Sequence, residues 1–221
     1  MRSGGIFAML AALVALTIWT QPATATPRNA SNEEYSYVIF RNGKELGTQN
    51  VKIARKDDTA IATIRIEMVY RLGFIKLYNY LHESREEWRG GLLTSLDSHT
   101  TENDKTRFVR VVRNEDILAI DGSGGRHSQE NSVFPTTYWN IGLLEQQTLF
   151  NTEDGALVHV TSEELGETLL TLNSQEVRAQ HFRISGDLDI ELWYSREGTW
   201  LQSRFFIDDA EIIFRLQSLS T

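Results

Sequence analysis

Tyr78-Asn79-Tyr80-Leu81-His82-Glu83-Ser84-Arg85-Glu86-Glu87-Trp88 is the stretch whose reading decides the fold. Side chains of a β-strand point alternately to opposite faces. Read as a strand, the stretch therefore puts Tyr78, Tyr80, His82, Ser84, Glu86 and Trp88 on one face. Asn79, Glu83, Arg85 and Glu87 fall on the other, which is strongly polar and suits water. The first face is aromatic at both ends and ionisable in the middle, and it is expected to point into the concave, protected side of a sheet. His82-Glu83 also opens like the helix of a zinc protease. That motif needs a second histidine one helical turn later, and Glu86 and Glu87 stand there instead.

Outward from this strand the punctuation is that of an all-β domain. Turn residues recur at Asn42-Gly43, Asp57-Asp58, Asn103-Asp104, Asn114-Glu115-Asp116, Asp121-Gly122, Asp154-Gly155, Ser185-Gly186-Asp187, Glu197-Gly198 and Asp208-Asp209. Asn42-Gly43 is the strongest of them, because a type I′ hairpin needs positive φ at both central residues. The runs between the turns read as about a dozen strands, mostly hairpin-linked and hence antiparallel. So many strands must curl. The expected fold is a single curved antiparallel sheet, a meander that forms a half-open or closed barrel. One interruption, Gly122 to Asn151, is expected to carry a short helix or a long loop insertion, with helix confined mainly to Pro135 to Phe150. Long insertions of this kind often cover a ligand; a flexible excursion followed by a structural plug is the other reading.

Ahead of the domain, Arg2 and the apolar run Ile6 to Trp19 lead to Ala23-Thr24-Ala25, the small-x-small pattern of a signal peptidase site. The run is about 14 residues, short of the ~20 needed to span a bilayer as a helix. The reading is a signal peptide over 1–25, a flexible leader over 26–34, and a single β domain over 35–221. That places the mature product in the periplasm or outside the cell, with no stable membrane insertion after cleavage. The chain holds no cysteine, which removes disulfides, thiol catalysis and Cys-ligated metals. Its formal charge is −8, and no basic cluster suited to nucleic acid appears. The five histidines are scattered, so no local metal site is readable and no cofactor is implied. Asp121-Gly122-Ser123-Gly124-Gly125 has the wrong order for a serine-protease loop and reads as a turn.

The residues Asn42-Gly43-x-x-x-Gly47, Tyr80-x-His82-x-x-x-Glu86-x-Trp88, Gly91-x-Leu93-x-x-Leu96, Thr100-Thr101-x-Asn103, Tyr138-Trp139-Asn140, Asp154-Gly155, Gly186-Asp187-Leu188 and Trp193-Tyr194 span nearly the whole mature chain. In this combination the chain resembles the family of exported bacterial proteins catalogued as domain of unknown function 6134. One turn departs, carrying Asp104 where glycine is expected after Asn103. The resemblance implies no activity. Its general form is similar to curved periplasmic sheets of the lipoprotein-carrier type, which cup an apolar ligand, although fold alone does not settle function.

The functional expectation is a non-enzymatic binder of a lipid or another apolar or amphipathic small molecule. Its ligand-binding residues would be Tyr78, Tyr80, His82, Glu86, Trp88 and Trp139. Two alternatives stay open: an interaction module with a filled core, and a hydrolase or isomerase using His82 with Glu86 or Glu83. A satisfied core histidine is the plainer reading of His82, and core packing that of Trp193 and Trp200.

Overall fold

Asn42 and Gly43 both have positive φ, +49° and +75°, as a type I′ turn requires. They join β1 (Ser31–Arg41) to β2 (Lys44–Lys56). The same local solution recurs at Gly90-Gly91, Asn173-Ser174 and Asp208-Asp209, where both turn residues again have positive φ. Such turns match the twist of the strands they connect, so the chain advances by hairpins. The computed structural model describes residues 30–72, 75–130 and 133–220. The signal segment expected over 1–25, and the first part of the leader, lie outside the described residues.

The first half forms a meander of β1, β2, β3 (Thr59–Leu72), β4 (Ile75–Arg89), β5 (Leu92–Glu102), β6 (Lys105–Asn114), β7 (Ile117–Gly122) and β8 (Gly125–Gln129). The insertion follows: a short β9 (Phe134–Pro135), a single 3-10 helix (Ile141–Glu145) and β10 (Thr148–Phe150). The second meander is β11 (Leu157–Leu172), β12 (Gln175–Gly186), β13 (Ile190–Tyr194), β14 (Trp200–Ile207) and β15 (Ala210–Ser220). All fifteen strands among the described residues belong to one sheet in the order β8-β7-β6-β5-β4-β3-β2-β1-β15-β14-β13-β12-β11-β10-β9. The two meanders are fused where β1 pairs antiparallel with β15. The one parallel pair among the described strands is β9 with β10.

The sheet is curved and not closed, the half-open form of the expected barrel. Its rolled ends meet through the loop after β10. Ser98 donates its hydroxyl to the Thr152 carbonyl at 2.6 Å, and the Gly124 N–H donates to the Asp154 carbonyl at 2.7 Å. Gly122 makes this approach possible, since a Cβ there would lie 2.2 Å from the Asp154 carbonyl oxygen. Two expectations shift. β1 begins at Ser31 and pairs through Arg55, so the strand takes in residues assigned to the leader. The Gly-rich segment after Asp121 is not a loose excursion: Gly122 to Gln129 closes a β7–β8 hairpin.

Inward-facing side chains from both meanders and the insertion form one main apolar cluster, which includes Tyr37, Ile64, Trp88, Trp139, Phe150 and Trp200. Fully burying a large apolar side chain contributes about 1.5–3 kcal/mol. Tyr37 stacks on Trp200 at 4.2 Å and donates its hydroxyl to the Trp200 carbonyl at 2.9 Å. Trp193 is buried too, but it belongs to a separate cluster with Leu172, Ala179 and Leu201. Its strand neighbours Leu192 and Tyr194 point into the main core, so alternation sends Trp193 to the outer side.

Candidate functional site

The face of β4 read from the sequence exists. Tyr80, His82, Ser84, Glu86 and Trp88 are all buried, while Glu83 and Arg85 on the other face are exposed and ion-paired, Glu83 with Arg65 and Arg85 with Glu87. The buried face divides into two halves that do different things.

At the C-terminal half, Glu86 is fully buried. One carboxylate oxygen accepts the Trp88 indole N–H at 2.8 Å and the Trp139 indole N–H at 3.0 Å; the other accepts the Thr137 hydroxyl at 2.7 Å. The Trp88 and Trp139 rings meet edge to face at 5.9 Å, and Phe134 packs on Trp88 at 4.8 Å. Glu86 is thus the post that fastens the insertion, Phe134 to Trp139, onto β4. Burial pushes its carboxyl up to about 7, against the opposing pull of the three donors. Glu86, Trp88 and Trp139 were expected to contact ligand. They hydrogen-bond and pack on one another, and they do not line the main cleft. Trp88 and Trp139 border a separate shallow depression, with Arg55 over the Trp139 ring at 5.6 Å.

At the N-terminal half, Tyr78, Tyr80 and His82 line a cleft of about 400 Å³. A second compartment of about 360 Å³ adjoins it and shares Met68, Tyr78, Glu102, Phe205, Ile207 and Phe214. The two adjoin along these shared residues and have unlike ends. The outer end is apolar, with Leu46, Met68, Phe205, Ile212 and Phe214, and Arg41 and Asp208 at its rim. The inner end is polar, with Gln49, His82, Arg107, Thr137 and Glu153.

A hydrogen-bonded chain organises the polar end. Tyr80 donates its hydroxyl to Glu153 Oε1 at 2.7 Å. One nitrogen of Arg107, Nη2, donates to Glu153 Oε2 at 2.5 Å and to Glu102 Oε2 at 3.2 Å. Tyr78 is held up to about 12 by burial and then by the charge and hydrogen bond of Glu102. Tyr80 is pushed far above the ordinary phenol value by burial and then by Glu153.

His82 Nδ1 lies 2.8 Å from Thr100 Oγ1. Burial, helped by the positive charge of Arg107, lowers its pKa to about 4. The ring is therefore neutral at neutral pH, and Nε2 is the nitrogen left to an occupant. The hydrolytic reading pairs the His82 imidazole with a carboxylate, Glu86 or Glu83. This imidazole is aligned by a threonine, Glu83 faces solvent, and Glu86 is engaged with Thr137 and the two indoles.

Sequence reasoning missed Glu102, Arg107, Glu153, Met68, Phe205 and Phe214. One of these, Arg107, had a signal. Counting outward from the Asn103-Asp104 turn pairs Thr100 with Arg107, and His82 pairs with Thr100 on the other side. That register places Arg107 two strands from His82 on the same row. Glu153 carried no such signal, because a loop 73 residues away from Tyr80 delivers it.

No curated protein matches the chain in sequence. Among solved structures, the chain is similar to a β-barrel-like protein of domain of unknown function DUF1849 from Brucella abortus, with a TM-score of 0.62 and 11% identity over 88% of this chain and 99% of that one. This likeness is one of fold. The family model for domain of unknown function DUF6134 matches residues 37–217, a span that takes in both meanders, the insertion and every residue of the cleft, and the chain belongs to that family.

Proposed function

We propose that this protein binds an amphipathic small molecule in the cleft between β2–β6, the insertion and β14–β15, and works on it by holding it. One observation carries the reading. A space of about 400 Å³ with a hydrogen-bonding end adjoins one of about 360 Å³ with an apolar end, and six residues line both. Ligand pockets have this size, and mostly apolar walls with a few placed polar groups are their usual make-up. The occupant's chain would lie along Met68, Phe205 and Phe214, and its polar end would reach His82 and the Arg107–Glu153 pair.

Phe205 is shared by both compartments and is half-buried rather than part of the closed core. Phe205→Ala is expected to weaken binding of a decyl-chain probe about tenfold, the loss that follows from removing one large apolar contact. Isothermal titration of decan-1-ol into both proteins reads it. Equal affinities for the two, or heat from neither, would overturn the reading.

The setting proposed for this activity is the periplasm or the outside of the cell. Arg2, the short apolar run Ile6 to Trp19 and the Ala23-Thr24-Ala25 site support it. The exported form is expected to start near Thr26. An intact mass of the secreted protein that still includes Ile6 to Trp19 would count against it.

A further inference from the structure

The charges at the polar end discriminate between kinds of amphiphile. Arg107 is the only cationic residue lining the inner compartment among the described residues, and two carboxylates, Glu102 and Glu153, line it as well. Nη2 of the guanidinium donates to both of them, while its buried Nε has no hydrogen-bond partner among the described residues. The Tyr80 hydroxyl proton is committed to Glu153, and the negative charge of Glu102 acts on Tyr78. His82 is neutral at neutral pH, because burial and Arg107 both oppose its charge. With two carboxylates against one guanidinium, the compartment carries a net negative charge. The Tyr78 and Tyr80 rings, nearly parallel with centroids 6.5 Å apart, add π faces of the kind that attract cations.

We propose that the amphiphile held here has a polar end that donates hydrogen bonds and carries no negative charge, with an aliphatic amine preferred over an alcohol and both over a carboxylate. This deepens the binding reading above and rests on it. A carboxylate or phosphate head would meet two carboxylates against one guanidinium, a net repulsion even with the Arg107 Nε donor free. An ammonium head would find acceptors on several sides, and a hydroxyl would find them without the charge.

Three probes of equal chain length test the ordering: decylamine, decan-1-ol and decanoate, titrated into the protein at pH 7 and low salt. Decylamine is expected to bind at least about tenfold more tightly than decanoate, the effect of one net charge a few Å away at protein-like dielectric, with decan-1-ol between them. Raising the salt should narrow the gap between the charged probes and leave decan-1-ol in place. Glu153→Gln keeps an acceptor for Tyr80, removes one negative charge and loosens the hold on Arg107. It should shrink the preference for decylamine over decanoate about tenfold. Decanoate binding as tightly as decylamine would overturn the inference and leave the binding function standing. Binding of none of the three would overturn both. Should Glu153→Gln fail to fold, the salt series on the unaltered protein still decides: a gap indifferent to salt contradicts the charge argument.

Discussion

Glu86→Ala is expected to destabilise the protein by on the order of 4 kcal/mol, while Glu86→Gln is expected to be close to neutral in mildly basic solution. Alanine strands three buried donors, the Trp88 and Trp139 indoles and the Thr137 hydroxyl. A buried group left without its partner costs about 1–3 kcal/mol. Glutamine can satisfy all three. Its oxygen accepts both indoles, its NH2 donates to the Thr137 oxygen, and the hydroxyl turns to suit. Urea unfolding of the three proteins gives the ranking. An alanine variant as stable as the glutamine variant would mean that the carboxylate does not fasten the insertion. The same comparison bears on the cleft, because the insertion that Glu86 anchors also supplies Thr137 and Tyr138 to its wall, and the loop that follows it supplies Thr152 and Glu153.

The second expected result is a pH dependence hidden in the unaltered protein and exposed by single substitutions. Glu86 is held near 7 against an ordinary value of 4.5. The folded chain keeps a proton that the unfolded chain releases, so its contribution is full below pH 4.5 and is lost as pH rises through 7. His82 is held near 4 against an ordinary 6.5. Here the unfolded chain takes up a proton that the folded chain refuses, so the contribution is full above pH 6.5 and is lost as pH falls through 4. Each is worth about 3 kcal/mol across its window. Over the shared window the two slopes oppose and offset. Glu86→Gln should therefore gain about 3 kcal/mol relative to the unaltered protein as pH goes from 4.5 to 7. His82→Gln should gain a similar amount, relative to the unaltered protein, as pH falls from 6.5 to 4. Differences between variant and parent cancel every other titrating group, so denaturant midpoints across that range are enough. Differences that stay flat with pH would show that neither group is forced into its neutral form by burial.

The two halves of β4 thus serve different ends. Trp88 and Glu86 close the core and hold the insertion, while Tyr78, Tyr80 and His82 leave a space in front of them. Phe205 and Phe214 from the second meander line that space opposite them without filling it. Partial burial of Phe205 and exposure of Ile207 follow from the same geometry.

The strand at Tyr78 to Trp88, its two unlike faces and the hairpin turns around it were determined by the sequence alone. Period-2 alternation and the positive φ demanded of Asn42-Gly43 or Asp208-Asp209 are properties of a few neighbouring residues, and no distant partner is needed to read them. Membership of one curved antiparallel sheet followed from the number of hairpins. The division of the β4 face into post and cleft was a tertiary decision. Glu86 meets Trp139 across 53 positions and Tyr80 meets Glu153 across 73. Phe214 reaches the cleft only because β15 returns to pair with β1 at the opposite end of the chain. A side chain that fills a core and one that lines a cavity have the same local pattern. What separates them is whether something from elsewhere in the chain packs in front of them, and that depends on long-range pairing, the curl of the sheet and the path of the insertion.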